Sequence, residues 1–286
     1  MASLTTAAAK KTNTETSLQT NEHVGYPIEA LIDCSNKPEA TNTAFFTYGR
    51  FQPGHTGHKI MIEKLLEIAL QHNIQTKTQI THEKTNVYVF VSPSGGPTEK
   101  KPKKNPLTPD EKVHLLQQQY AGYPIHFINM RSPLPENIPT SAFGALALLG
   151  KTNGIGCYDQ TVMLIGEDRI KFAQQLEKYG LTAFEFAPRS EGAMSATELR
   201  TAAVENNTDK FNAGIQFGAV TPELADYIKK VIRSKHGLQG GKKRRRKTRI
   251  KRRRKTKRKT KRRKTKTKRK RKKRTLRRYT IRRRKK

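Results

Sequence analysis

Ala44-Phe45-Phe46-Thr47-Tyr48 is a short apolar and aromatic run closed by Gly49, and the loop Arg50-Phe51-Gln52-Pro53-Gly54-His55-Thr56-Gly57-His58 follows it. An unbroken apolar run of this length predicts a buried strand. Beyond the loop, Ile62, Leu65, Leu66 and Ala69 recur at i, i+3, i+4, i+7, the spacing of an amphipathic helix that reaches about His72. A strand passing through a glycine-containing loop into a helix is the start of a βαβ unit, and the same alternation continues along the chain.

Val87-Tyr88-Val89-Phe90-Val91 is apolar throughout, as expected of a parallel strand covered on both faces. Thr108-Pro109-Asp110-Glu111 combines an N-cap Thr, Pro at the first helical position and Glu at the third, a capping box that opens a helix to about Tyr120. Further strands are expected at Ile125 to Asn129, Val162 to Ile165 before Gly166, and Thr182 to Ala187. Helices are expected at Ser141 to Leu149, Ile170 to Tyr179 and Ser195 to Val204, where Ser195 and Glu198 form a second capping box. Thr221-Pro222 opens a last helix with Leu224, Ile228, Val231 and Ile232 on one face. Regular alternation implies right-handed crossovers and a doubly wound, Rossmann-like α/β fold: a five-stranded parallel sheet with helices on both faces. Ligands of such sheets bind beyond the carboxyl ends of the strands, so the loops after Tyr48, Val91, Ile165 and Ala187 are the expected site.

The charge is confined to one end. Residues 242–286 hold 34 of the 59 Lys+Arg and none of the 23 Asp+Glu, which leaves the preceding 241 residues with 25 basic groups and a net charge of +2 rather than +36. That excludes a uniformly basic, histone-like protein. In the tail, Ile250, Leu276, Tyr279 and Ile281 are too few to offset chain entropy, so 239–286 is expected to be a disordered polycation beyond a Gly240-Gly241 hinge. Residues 1–42, rich in Thr, Ala and Asn and without period, are expected to be disordered too, leaving 43–238 as the folded domain. No segment has the apolar core of a signal peptide or approaches the ~18 apolar residues of a membrane span, so an intracellular protein of cytoplasm or nucleus, neither secreted nor membrane-bound, is expected. Cys34 and Cys157 stand far apart in no metal or redox spacing and are expected to be free thiols in a reducing compartment.

The loops carry the chemistry. Gly49 and Gly57 let backbone approach a bulky ligand, and a helix beginning near Gly57 offers free N–H groups and a positive dipole end suited to phosphate. His55 and His58, three residues apart at its first turn, point into one space, where either imidazole donates to a phosphoryl oxygen. Two surface histidines or two ligands of a metal would use the same spacing, but no Cys or acid cluster accompanies the pair, so no protein metal site is expected. Met194-Ser195-Ala196-Thr197-Glu198-Leu199-Arg200 adds hydroxyl and N–H donors at another helix start and an Arg fork for phosphate. By itself it reads equally as an ordinary capped helix with an exposed Arg.

Gly49 to His58 resembles the G-R-F-x-P-x-H-x-G-H signature of the HxGH nucleotidylyltransferase superfamily, which includes nicotinamide-mononucleotide and pantetheine-phosphate adenylyltransferases and the cytidylyltransferases of phospholipid synthesis. Met194 to Arg200 is similar to its second motif, S-[ST]-T-x-[IL]-R, with Ala196 in place of a small polar residue. Gly166-Glu167-Asp168-Arg169 matches its G-x-D position, and Ser92 to Leu107 resembles a loop in nucleotidyltransferase-like proteins of phages and large viruses. The resemblance implies a transfer in which the phosphate of a small phosphorylated acceptor attacks the α-phosphorus of a nucleoside triphosphate and pyrophosphate leaves. It implies His55, His58 and Arg200 as catalytic residues, and Gly49, Arg50, Phe51, Gly57, Gly166, Asp168, Ser195 and Thr197 around the nucleotide. Mg²⁺ would be held mainly through the phosphates. Gly49 to Pro53 looks most like the adenylyl-transferring members and points to ATP, with CTP still open. Lys101 and Lys104 are candidates for screening triphosphate or acceptor charge from a lid; a solvated mobile loop reads equally well. A second reading puts function in the tail: a nucleic-acid-binding or virion-packing protein with an inactive nucleotide-binding domain. Thirty-four positive charges attract polyanions, and with Tyr279 as the one aromatic ring among them such binding is sequence-blind.

Overall fold

In the computed structural model, described for residues 25–39, 41–96, 98–152, 154–187 and 192–238, five strands form one all-parallel sheet. The strands are β1 (Thr43–Gly49), β2 (Val87–Val91), β3 (His126–Asn129), β4 (Gln160–Gly166) and β5 (Ala183–Ala187). Their order is β3-β2-β1-β4-β5, with Phe45 opposite Val87 on one side of β1 and opposite Val162 on the other. Among the described residues eight α-helices accompany them: α1 (Ile28–Ile32), α2 (Thr56–Gln75), α3 (Pro109–Gln119), α4 (Ala142–Leu149), α5 (Ile170–Glu177), α6 (Ala196–Glu205), α7 (Thr208–Ile215) and α8 (Pro222–Lys235).

The apolar strands are divided between two cores by their period of two. Ala44, Phe46, Tyr88, Phe90, Met163 and Ile165 face a core closed by α1, α4 and α5. Phe45, Val87, Val89, Val91 and Leu164 face the opposite way, against Ile62, Leu65, Leu66 and Ala69 of α2 and Val113 and Leu116 of α3. With both faces covered, the central strands show no polar alternation. Both capping boxes form: Thr108 with Glu111 at α3, and Ser195 with Glu198 at α6. A third apolar cluster joins α6, α7 and α8 to Leu107 and Leu115. The doubly wound fold expected from the sequence is the one observed.

Chain order explains where a ligand fits. From β1 the sheet grows through β2 to β3 in one direction, then β4 returns to the other side of β1. Connections leave β1 and β4 toward opposite faces, opening a crevice at their carboxyl ends.

Three expectations change. The segment from residue 25 belongs to the folded body: Tyr26 stacks on His126 with ring centroids 3.6 Å apart, its N–H donates to the Phe127 carbonyl at 2.9 Å, and Ile28 and Leu31 are buried. A five-residue helix is too short for periodicity to reveal. The cysteines are not free: Cys34, exposed, is disulfide-bonded to buried Cys157 across 123 residues, with Cα atoms 5.3 Å apart. With that bond formed, free thiols no longer argue for a reducing compartment. The sequence reading also lacked α7, whose Phe211 and Ile215 complete the third cluster. The chain divides into two units, Met1–Lys235 and His236–Lys286. The expected disordered segments lie outside the described residues, for 1–24 and 239–286 alike. Among the described residues no helix is long and apolar enough to cross a membrane.

A bond closing so long a loop restricts the unfolded chain, with an expected contribution of about 2–4 kcal/mol. Cys34→Ser is therefore expected to lower the unfolding free energy by that order in denaturant titrations. Thiol titration of the unreduced, denatured protein should find no free thiol; two would contradict the bond.

Candidate active site

Gly49 ends β1, and a Cβ at that position would lie 2.7 Å from the Phe51 ring. The glycine therefore lets Phe51, fully buried at φ +44°, fold back under the loop, where its ring meets His58 at 4.7 Å between centroids. Next to it, Gln52 is buried and its amide is fully engaged. Its Nε2 donates to the Ser94 carbonyl at 3.0 Å and the Leu107 carbonyl at 2.9 Å, and its Oε1 accepts from the Leu107 N–H at 3.0 Å. Gln52 thus couples the histidine loop to the long loop after β2.

His55 is the N-cap of α2, and its Nδ1 accepts from the Gly57 N–H at 3.0 Å. That bond assigns the ring hydrogen to Nε2, leaving a donor for a ligand. A Cβ on residue 57 would sit 2.9 Å from His55 Cε1, so glycine permits the ring to lie over the helix start. His58 stands one turn on, half-buried, its ring 3.9 Å from that of His55 and its buried Nδ1 without a partner. Burial, reinforced by the Arg200 charge, pushes His55 down to about 4, with Glu198 opposing weakly. Burial, then His55 and Arg169, hold His58 well below the usual histidine range. Both rings are neutral at pH 7 in the free protein.

The second motif meets this loop through two hydrogen bonds. Arg200 Nη1 donates to the Gln52 carbonyl at 2.6 Å, and the Met194 N–H donates to Thr56 Oγ1 at 3.3 Å. Arg200 Nη2 also donates to Thr197 Oγ1 at 3.1 Å, which fixes the plane of the guanidinium. Ser195 Oγ accepts from the Glu198 N–H at 3.2 Å as the cap of α6, and its N–H and hydroxyl both hold the Glu198 carboxylate below the usual range. Burial and the neighbouring Arg50 lower the Arg200 pKa from an ordinary value so high that it stays charged.

These groups share a cleft of about 730 Å³ at the carboxyl ends of β1 and β4. His55, His58 and Arg200 line it, as do Gly49, Arg50, Phe51, Gly57, Gly166, Asp168, Ser195, Thr197 and Lys104. Lys101 is not among its lining residues. Met61, Met163, Leu164, Ile165 and Phe172 supply an apolar wall, and Gly166 leaves room for Asp168, whose Oδ1 would lie 2.9 Å from a Cβ there. A second cavity of about 500 Å³, bounded by Tyr48, Gly49, Arg50 and Arg169 in common with the first, adds Ser92, Pro93, Ser94 and Thr140. Among the described residues no group of three or more His, Cys, Asp and Glu could cage a metal.

The loop after β2 is pinned rather than loose. Glu99 accepts from the N–H groups of Gly95 and Lys101 and from Asn105 Nδ2, at 2.9, 2.8 and 3.0 Å. Lys112, with no exposed surface, donates from Nζ to the Ser92 and Ser94 carbonyls at 2.6 and 2.9 Å. Burial brings Lys112 down to about 7, against the opposing pull of Glu99 and Asp110. Neither Gln52 nor Lys112 was a candidate from sequence, because their partners lie on a loop whose path spacing alone does not reveal. Arg169, Phe172 and Met194 were missed as cleft residues for the same reason. No protein-family profile matches the chain, and no curated protein matches it in sequence.

His55 has two separable roles. His55→Ala is expected to remove the cap and cost about 1 kcal/mol of stability, whereas His55→Asn keeps an acceptor for the Gly57 N–H and should unfold near the parent. Both should lose ligand-directed function alike; recovery of function in the Asn variant would make the ring a cap alone. Polyphosphate in the cleft should raise both histidine pKa values. Nucleotide affinity is then expected to strengthen as pH falls from 8, with the His55 contribution levelling off below its free value of about 4. Calorimetry at pH 6 in buffers of different ionisation heat should detect proton uptake that is smaller in His55→Asn; equal uptake would separate His55 from the phosphates.

Proposed function

We propose that the domain is a nucleotidylyltransferase that moves a nucleoside monophosphate, AMP from ATP in the first instance, to a phosphate-bearing acceptor and releases pyrophosphate. The observation that carries this reading is the hydrogen bond from Arg200 to the Gln52 carbonyl, which brings a guanidinium and two imidazoles to one cleft at the switch point of a parallel sheet. The resemblance of the two motifs to the HxGH superfamily supports it independently.

The chemistry asks little of the protein beyond position and charge. The acceptor phosphate oxygen forms a bond to the α-phosphorus while the bond to the bridging oxygen of the β-phosphate breaks, and pyrophosphate departs with the electron pair. The acceptor phosphate is already ionised, so no general base is required. His55 Nε2–H and the ring N–H of His58 donate to the phosphate oxygens as negative charge gathers, while Arg200 faces the β- and γ-phosphates. The first turn of α2 adds N–H groups aligned with its dipole. The apolar wall of Met163, Leu164, Ile165 and Phe172 suits a base. Mg²⁺, when bound with the nucleotide, neutralises and orients its phosphates; of the cleft residues Asp168 has the hard oxygen donor such an ion takes.

Pyrophosphate release from Mg-ATP with a panel of phosphomonoesters tests the reading, with Mg-CTP as comparison. Arg200→Lys keeps a charge but loses the fork, and turnover is expected to fall by about 10²-fold or more, the size typical of one lost transition-state donor. Absence of pyrophosphate with every nucleotide and acceptor, from protein that Mg-ATP nevertheless stabilises against heat, would leave a binding domain and favour a function in the tail.

A further inference from the structure

Resting on the proposed transferase reading, we infer that the acceptor is the 5′-terminal phosphate of a nucleic acid, seated in the second cavity with the following phosphodiesters running over a basic rim. The second cavity adjoins the nucleotide cleft through Arg50 and Arg169 and is completed by Ser92, Pro93, Ser94 and Thr140, with the Ser92 and Ser94 hydroxyls bonded to each other at 2.9 Å. Its aromatic member, Tyr48, already donates its hydroxyl to the Thr140 carbonyl at 3.2 Å. In that lining Arg50 and Arg169 are the charged groups, and both favour an anion.

Positive charge continues past the cavity. Two residues beyond Ser94, Arg131 from the end of β3 lies against Gly96, where a Cβ would be 2.9 Å from its Nη1. Lys101, Lys103 and Lys104 stand exposed on the same loop. Glu99, the acid within that loop, is occupied by three donors from the loop itself. Among the described residues the ion pairs are Lys59–Glu63, Lys64–Glu67 and Lys151–Asp159, so Arg50, Arg131, Arg169, Lys103 and Lys104 form none, while the Lys101 charge acts on Glu99. A buried lysine and a buried glutamine hold the loop by its carbonyls, so the cations sit on a fixed frame. Like charges held together without counter-charge repel, and one phosphomonoester neutralises few of them. A terminal phosphate followed by a row of phosphodiesters fits both parts: a dianionic nucleophile for the cavity and single charges for the rim. The 34 cations of residues 242–286 would raise the local concentration of the same polyanion.

The reaction would join the 5′-phosphate oxygen to the α-phosphorus of ATP, break the bond from that phosphorus to the β-phosphate bridging oxygen, and leave a 5′-adenylylated strand and pyrophosphate. The test incubates the full chain with α-labelled Mg-ATP and a short single-stranded oligonucleotide, DNA or RNA, bearing either a 5′-phosphate or a 5′-hydroxyl. Label is expected on the 5′-phosphate strand and not on the 5′-hydroxyl one. The KM for the strand should rise with salt, and Arg131→Ala and Lys103→Ala, in the same full chain, should each reduce that log–log slope by about 0.7. Pyrophosphate release with small phosphomonoesters but no labelled strand would overturn this inference and leave the transferase reading standing. No release with any acceptor would overturn both. Labelled strand with an unchanged slope in both variants would overturn the rim.

Discussion

The carbonyl of Gln52 is the point on which the site depends. It accepts from Arg200 across 148 residues of sequence, while the side chain of the same residue grips Leu107 and Ser94. One buried residue therefore sets three loops against one another: the histidine loop, the lysine-bearing loop after β2 and the start of α6. Arg200 is half-buried and charged, and a charge in that setting persists where its donors are used. The backbone oxygen takes one, Thr197 another, and what remains of the fork faces the cleft. Phosphate-directed chemistry needs that arrangement made in advance, because groups that reorient during the reaction lose much of their stabilising effect.

The fold was legible because local signals agreed with one another. Val87 to Val91, an unbroken alternation of valine and aromatic residues, matches its observed strand residue for residue, and Thr108 with Glu111 marks the start of α3 where it occurs. Residues from both ends of the domain line one cleft, because parallel topology brings every strand's carboxyl end to one side. What stayed hidden depends on tertiary partners. Gln52 reads as a loop glutamine and Lys112 as one more polar position on α3; their burial follows from carbonyls that no periodicity indicates. Lys101 and Lys104 looked equivalent, yet Lys104 alone lines the cleft, because the turn that Glu99 builds separates them. Tyr26, Ile28 and Leu31 are too few to declare a helix, and they order by packing on a sheet already formed.

If the cleft takes a polyphosphate, as proposed, its neutral histidines invert a common picture. Preformed positive rings would attract any anion, whereas rings kept neutral by burial and by Arg200 take up protons as the polyphosphate arrives. Under that proposal part of the binding energy would be linked to proton uptake, and a small monoanion would gain less from it than a triphosphate.

The disulfide divides the molecule unequally. From Cys34 to Cys157 the covalent ring encloses β1 to α4, the histidine loop included, while β4, β5 and the helix bearing Arg200 hang outside it. Only non-covalent forces fasten that outer half, so sub-global opening can lift the guanidinium away while the ringed half stays closed. A nucleotide spanning both halves would act as a clasp, and its presence would register mostly as slowed amide exchange in α6.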